Sequence, residues 1–125
     1  MRSISHRLLV AGLAVVALVV VNACGSSNSP MTPTGGGQAD VTITIVGMSN
    51  NASFSPNPGV VPVGKTVAWR NADVATHDIV ENNGAFNTGP LAPGSVSAPV
   101  MMSTAGSFPY HCSIHSTMTG TLTVQ

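Results

Sequence analysis

Apolar and polar residues alternate with a period of two in several short segments of this chain. The clearest example spans residues 41–46, where β-branched apolar residues alternate with threonine. Alternation of this kind is typical of a strand that buries one face and exposes the other. The pattern predicts further strands at residues 60–63, 66–70, 77–80, 95–102, 106–112 and 119–124.

Turn-forming residues separate these segments. Residues 54–59 contain two prolines and a glycine, Gly64 precedes a second turn, and the tripeptide 82–84 reads Asn-Asn-Gly. Such clusters end strands because glycine and asparagine accept positive φ angles and proline cannot donate a ladder hydrogen bond. No helical period occurs outside the N-terminal region. Many short strands between turns predict an all-β sandwich or barrel.

The aromatic residues define the expected core of this β-fold. Phe108 and Tyr110 are two positions apart on one predicted strand and so share a face, which Cys112 also shares. His111 falls on the opposite face. If the rings point inward, Cys112 points inward as well. The five residues expected to supply the aromatic bulk are Phe54, Trp69, Phe86, Phe108 and Tyr110.

The N-terminal region has the pattern of an export signal. Arg2 and Arg7 precede an almost unbroken apolar run over residues 8–21, and small residues then precede Cys24. This pattern predicts a signal peptide over residues 1–23, with Cys24 as a lipidated N-terminus in the manner of bacterial lipoproteins. An uncleaved anchor and ordinary cleavage nearby are the alternatives, although the run is shorter than a standard spanning helix.

Composition divides the remainder into a tether and a domain. Residues 24–39 are rich in Gly, Ser and Pro and offer almost nothing to bury, which predicts a flexible linker that holds the domain away from a membrane. Residues 40–125 form the predicted β-domain. Beyond residue 23 the only basic residues are Lys65 and Arg70. So few positive charges exclude a nucleic-acid-binding surface.

The candidate chemistry lies in one short segment near the C-terminus. Cys112, His115 and Met118 follow the spacing Cys-x2-His-x2-Met, so a single loop can direct a thiol, an imidazole and a thioether at one centre. His77 is the best upstream candidate for a fourth ligand. Two imidazoles, a thiolate and a weak axial thioether are the ligand set of blue-copper electron-transfer sites. The sequence therefore predicts one copper ion held by His77, Cys112, His115 and Met118.

Each of these residues also has an ordinary structural interpretation. Taken alone, His77 could form a surface pair with Asp78, while Cys112 and Met118 could be plain core residues. A disulfide between Cys24 and Cys112 would explain neither His115 nor Met118. Zinc also accepts Cys and His ligands, but a thioether is a poor fourth ligand in its structural sites. The combination at this spacing favours copper.

These segments resemble the cupredoxin family, and most closely its amicyanin- and plastocyanin-type members. The similarity extends over roughly residues 41–124, and the Cys-x2-His-x2-Met loop has the amicyanin-type spacing. The matching positions include those around the four candidate ligands and the following framework residues: Phe54, Pro56, Val63, Gly64, Val67, Trp69, Asn71, Thr76, Phe86, Asn87, Thr88, Gly89, Leu91, Pro93, Gly94, Gly106, Phe108, Tyr110 and Gly120.

The resemblance implies a Greek-key β-sandwich with copper at one end. It also implies a monomeric electron carrier, not an enzyme, that docks redox partner proteins near His115, with Pro90 and Leu91 as expected members of the docking surface. The chain departs from the family at Asp78, where related proteins often carry asparagine. A carboxylate there could accept backbone N–H groups and is expected to lower the reduction potential.

Two other functions use similar chemistry. An oxidase or a nitrite-reducing enzyme is one alternative, but multicopper oxidases need additional His-x-His pairs, and the chain contains no such sequence and no spare cluster of titratable residues. A surface protein for copper trafficking would use the same ligands, often with methionine clusters. Met101 and Met102 are adjacent and so lie on opposite strand faces. With the export signal, the favoured interpretation is an electron carrier that is periplasmic or at the cell surface.

Overall fold

The structure, a computed structural model, describes residues 37–125. The predicted signal peptide, Cys24 and most of the predicted linker lie outside the described residues. Nine β-strands and a 3-10 turn at Asn50–Ala52 make up the described chain. The strands are β1 Val41–Ile45, β2 Phe54–Ser55, β3 Gly59–Val61, β4 Lys65–Asn71, β5 His77–Glu81, β6 Asn87–Leu91, β7 Val100–Met102, β8 Gly106–Cys112 and β9 Thr119–Val124.

The strands form two sheets with the predicted all-β sandwich architecture. One sheet has the order β2-β1-β4-β7, and the other has the order β3-β9-β8-β5-β6. Most neighbours are antiparallel, but β1 pairs with β4 and β3 pairs with β9 in parallel. Because β3 lies in the other sheet from β2 and β4, and β7 in the other sheet from β6 and β8, the connections between these strands cross from one sheet to the other. No helix within residues 37–125 is long and apolar enough to cross a membrane.

Two predicted element boundaries were wrong. The alternating segment 95–102 forms a strand only at its end, because the backbone N–H of Trp69 donates to the Ser97 hydroxyl at 3.0 Å and not to a backbone carbonyl of this segment. The turn cluster 54–59 contains β2 and the first residue of β3.

Strand β6 was not predicted at all, because its sequence Asn-Thr-Gly-Pro-Leu has no strand-like pattern. Its position explains how it pairs nevertheless. It lies at the edge of the five-stranded sheet, where Pro90 stands opposite Asp78 and proline's missing N–H costs little. Strand β6 therefore owes its conformation to pairing with β5, which the Thr88 hydroxyl supports by accepting the N–H of Ile79 at 3.0 Å.

An aromatic cluster occupies the space between the sheets. Trp69 is fully buried, with its ring 4.8 Å from that of Phe86 and 5.5 Å from that of Tyr110, measured between centroids. The ring of Phe54 approaches that of Tyr110 at 4.9 Å, edge to face. Burial raises the pKa of Tyr110 to about 12. Four of the five predicted core aromatics are buried; the prediction was wrong for Phe108, which is only half-buried and packs against the cluster's edge.

A buried carboxylate organises the turn between β5 and β6. Glu81 is 2% exposed and accepts hydrogen bonds from the backbone N–H groups of Ala85 at 3.0 Å and Asn83 at 2.7 Å. These bonds, led by the one from Ala85, hold the pKa of Glu81 below its ordinary value. The ionised carboxylate thus replaces the backbone partners that the turn itself cannot supply.

Replacing Glu81 by glutamine is expected to lower the free energy of unfolding by about 1–2 kcal/mol at neutral pH, because the hydrogen bonds lose a charged acceptor. A depressed folded-state pKa gives stability that is present above the unfolded value of about 4.5 and lost as pH falls through the folded value. The difference between parent and variant should therefore shrink in acid. Urea unfolding of parent and variant, at neutral pH and in acid, measures this difference in the free energy of unfolding. An equal difference at the two pH values would contradict the role given to the ionised Glu81 carboxylate.

Candidate metal centre

The pairing of β5 with β8 brings two distant segments to one end of the sandwich. Ile79 stands opposite Cys112 in the antiparallel register, so His77 at the start of β5 lies beside the end of β8. Both His77 and Cys112 are fully buried. His115 is half-buried in the loop that leaves β8.

The side chains of these three residues converge. Cys112 Sγ lies 3.7 Å from His77 Nδ1 and 3.9 Å from His115 Nδ1, and the two Nδ1 atoms are 3.2 Å apart. One ligand atom from each residue falls within 4.8 Å of the others. No other group of three Cys, His, Asp or Glu residues in the described part of the chain has this arrangement. Two imidazole nitrogens and a thiol sulfur around one point fit copper.

The loop that carries His115 is closed by its own backbone. The N–H of Cys112 donates to the carbonyl of Met118 at 3.1 Å, and the N–H of Met118 donates to the carbonyl of His115 at 2.9 Å. The Met118 side chain is fully buried in the hydrophobic core. The fourth predicted ligand is therefore directed inward at the base of the same loop.

Asp78 joins β5 to this loop. Its backbone N–H points at Cys112 Sγ, 3.5 Å away, and its carbonyl accepts the N–H of Ser113 at 2.8 Å. Its carboxylate Oδ2 accepts the Ser113 hydroxyl at 2.9 Å. The expectation that the Asp78 carboxylate accepts backbone N–H groups was wrong. The backbone N–H of Ser113 donates to the backbone carbonyl of Asp78, so the carboxylate accepts the Ser113 hydroxyl.

Sequence reasoning missed Asp73. Its Oδ2 lies 2.9 Å from His77 Nε2, on the opposite side of the ring from Cys112. The hydrogen bond with His77 is the main reason that the pKa of Asp73 is lowered. Asp73 lies in an irregular loop, where its separation of four positions from His77 does not predict a contact. No periodic sequence pattern indicates that the two side chains meet.

His111 lies away from the cluster although it adjoins Cys112 in sequence. Its Nδ1 lies 2.7 Å from Asn82 Oδ1, and it pairs with Val80 and Thr119 on the neighbouring strands. Strand alternation, which puts His111 on the opposite face from Cys112, predicted this placement.

The expected docking surface needs one correction. Leu91 is only 4% exposed, because it belongs to the buried face of β6, and the prediction that it reaches the surface was wrong. Pro90 is exposed. Ile114, directly beside His115, is 52% exposed and is the more prominent apolar side chain in this loop.

Comparison with protein-family models and with curated proteins gave no match. Solved structures do match. The purple cupredoxin from Nitrosopumilus maritimus is 32% identical, with a TM-score of 0.59 over 69% of this chain and 100% of its own. The copper-containing nitrite reductase from Thermus scotoductus is also 32% identical, with a TM-score of 0.59 over 68% of this chain, but the match spans only 22% of the reductase.

Amicyanin is similar in fold, and one reduced variant aligns with a TM-score of 0.60 and 21% identity over 71% of this chain and 85% of its own. Given the identity to the purple cupredoxin over that protein's whole length, the chain belongs to the cupredoxin family. Its fold is the cupredoxin β-sandwich. Copper is the cofactor that both the family and the cluster of His77, Cys112 and His115 indicate.

Proposed function

We propose that the protein is a type 1 copper protein that carries single electrons between redox partners outside the cytoplasm. The ligands would be His77, Cys112, His115 and Met118. The observation that carries the proposal is the convergence of two Nδ1 atoms and one Sγ atom, with His77 and Cys112 fully buried and His115 half-buried. A bound copper ion would supply a one-electron couple between Cu(II) and Cu(I).

The protein's own contribution would be to hold the ligands still. His77 and Cys112 are fixed by neighbouring strands, and His115 and Met118 belong to a loop closed by two backbone hydrogen bonds. Packed interiors resist rearrangement, so the ligand positions would change little between oxidation states. Four protein donors would leave no open position for a substrate, which is the feature that catalytic metal sites retain. Electron transfer without substrate chemistry is therefore favoured over an enzyme.

Partners would dock at the end of the sandwich where His115 lies. His115 is half-buried, and the exposed side chain of Ile114 next to it offers apolar contact area. The low density of charge in the domain favours docking by apolar contact over strong electrostatic steering. The donor and acceptor would be redox proteins, with the carrier acting as a monomer.

The proposed location rests on the N-terminal sequence. Residues 1–23 would direct export, Cys24 would be lipidated, and residues 24–39 would tether the domain formed by residues 40–125 to the membrane. Mass spectrometry of the mature N-terminus tests this. A diacylglyceryl-modified Cys24 supports the anchor, whereas a free N-terminus at another residue refutes it.

A purple copper site is the second candidate, because a structure 32% identical to this chain is named a purple cupredoxin. Copper trafficking is the third, and it would require exchangeable metal. Met101 is 63% exposed while Met102 is 5% exposed, so the pair does not form a surface cluster of thioethers.

Copper retention during redox cycling distinguishes an electron carrier from a trafficking protein. The copper-loaded protein would be reduced and reoxidised repeatedly in the presence of a mild chelator. Retention of the metal with rapid, reversible one-electron cycling is the expected result. Loss of copper to the chelator within seconds would favour copper trafficking and contradict the proposed role as an electron carrier.

Replacing Asp78 by asparagine is expected to raise the reduction potential, because it removes a negative charge that would favour Cu(II). The amide oxygen can still accept the Ser113 hydroxyl, so the loop should keep its position. A redox titration of parent and variant measures the change. An unchanged or lower potential would count against the role assigned to this carboxylate.

A further inference from the structure

The two nitrogens of the His77 ring face different partners. Nδ1 points toward Cys112 Sγ at 3.7 Å, while Nε2 meets Asp73 Oδ2 at 2.9 Å. The ring itself is fully buried. Because water does not reach the ring, its hydrogen bonds are made with protein groups.

This arrangement has a chemical consequence. A neutral imidazole carries one N–H, and a carboxylate can only accept a hydrogen bond. Oδ2 therefore favours the tautomer in which Nε2 carries the proton and Nδ1 presents its lone pair toward Cys112 and His115. Carboxylates that hold a metal-binding histidine in this way fix the ring and increase its basicity.

Asp73 is itself held in place by the loop around it. Its backbone N–H donates to Asn71 Oδ1 at 2.9 Å, and its other carboxylate oxygen accepts the N–H of Val74 at 2.7 Å. The buried Asn71 amide donates in turn to the carbonyls of Ala75 at 2.7 Å and Leu91 at 2.9 Å. These bonds connect the end of β4, the loop and β6, so the carboxylate is positioned without help from a metal.

We propose that Asp73 is a positioning residue for His77 that selects the tautomer with Nδ1 as the metal-facing atom and biases a bound copper ion toward Cu(II). The bias toward Cu(II) rests on the proposed function, whereas the choice of tautomer does not. Asp73 would thus orient His77 for copper binding without being a copper ligand itself.

Three variants separate geometry from charge. Asp73→Ala removes both the acceptor and the charge, whereas Asp73→Asn removes the charge and retains an amide oxygen that can accept Nε2–H. Asp40→Asn is the matched control, because Asp40 accepts hydrogen bonds from Thr66 near the opposite end of β4. Thermal unfolding of each variant verifies that the fold is retained.

The first measurement uses the metal-free protein. Two-dimensional ¹⁵N–¹H spectra of the histidine rings at neutral pH report which nitrogen of His77 carries the proton. The expected result is the Nε2–H tautomer in the parent, in Asp73→Asn and in the control, and a mixture in Asp73→Ala. A parent ring protonated on Nδ1, or a tautomer unaffected by Asp73→Ala, would overturn the positioning role.

The second measurement uses the copper-loaded protein. Asp73→Ala is expected to lower copper affinity about tenfold, and both Asp73 variants are expected to raise the reduction potential while Asp40→Asn leaves it unchanged. Potentials of the two Asp73 variants equal to that of the parent would refute the bias toward Cu(II). If the parent bound no copper, the proposed function would fail while the tautomer result could still stand, so the two failures are distinguishable.

Discussion

Replacing His77 by alanine is expected to weaken copper binding by at least about 100-fold, which is the upper range for losing a partner outside the ligand set. His77 would supply one of the three strong donors, and its Nδ1 lies 3.7 Å from Cys112 Sγ in a fully buried position. No other imidazole in the described chain is placed to substitute for it. Competition titration with a chelator of known affinity measures the loss.

His111→Ala is the matched control for this experiment. The ring of His111 is hydrogen-bonded to Asn82 and lies outside the cluster of His77, Cys112 and His115, although His111 adjoins Cys112 in sequence. Copper affinity should therefore stay close to that of the parent. A large loss in His111→Ala, or a small one in His77→Ala, would show that the ligand set is wrongly assigned.

Replacing Gly120 by alanine is expected to destabilise the domain by about 1–3 kcal/mol or more, the usual cost of forcing extra volume into a packed core. A Cβ atom at this position would collide with the Tyr110 ring, which faces it across the β8–β9 pair. The ring cannot move away readily, because Phe54 and Trp69 pack against it. Thermal or urea unfolding of the metal-free protein measures the effect.

Gly59→Ala provides a graded comparison. Its Cβ would meet Ile43 Cδ1 at 2.7 Å, at the tip of a flexible side chain. Rotation of that tip can relieve the overlap, so the loss of stability should be smaller than for Gly120→Ala. Gly37→Ala, where nothing lies within 4 Å of the added atom, should have little effect. Equal losses at Gly120 and Gly37 would contradict the packing argument.

The strands with clear alternation were predictable from the sequence, because a buried face imposes a period of two on side-chain polarity. Strand β8 is the best example, since alternation alone placed Tyr110 and Cys112 inward and His111 outward. Strand β6 was not predictable in this way, because it is held by backbone pairing with β5 at a sheet edge.

Some residues of the candidate site were likewise predictable from the sequence, and others were not. The Cys-x2-His-x2-Met spacing is local, so three proposed ligands could be identified together, with His77 as the best upstream candidate for the fourth. Asp73 could not be identified, because its contact with His77 depends on the loop conformation that Asn71 stabilises. The exposure of Leu91 was likewise misjudged, since burial depends on which sheet face β6 presents to the core.

The visible and electron paramagnetic resonance spectra of the copper-loaded protein test whether Cys112 binds copper as a thiolate. We expect one copper ion per chain and an intense thiolate-to-copper absorption, which Cys112→Ser abolishes while the variant remains folded. The band position would also distinguish a blue site from a purple one. A copper-loaded parent without this band, or a band that persists in Cys112→Ser, would show that Cys112 does not bind the copper.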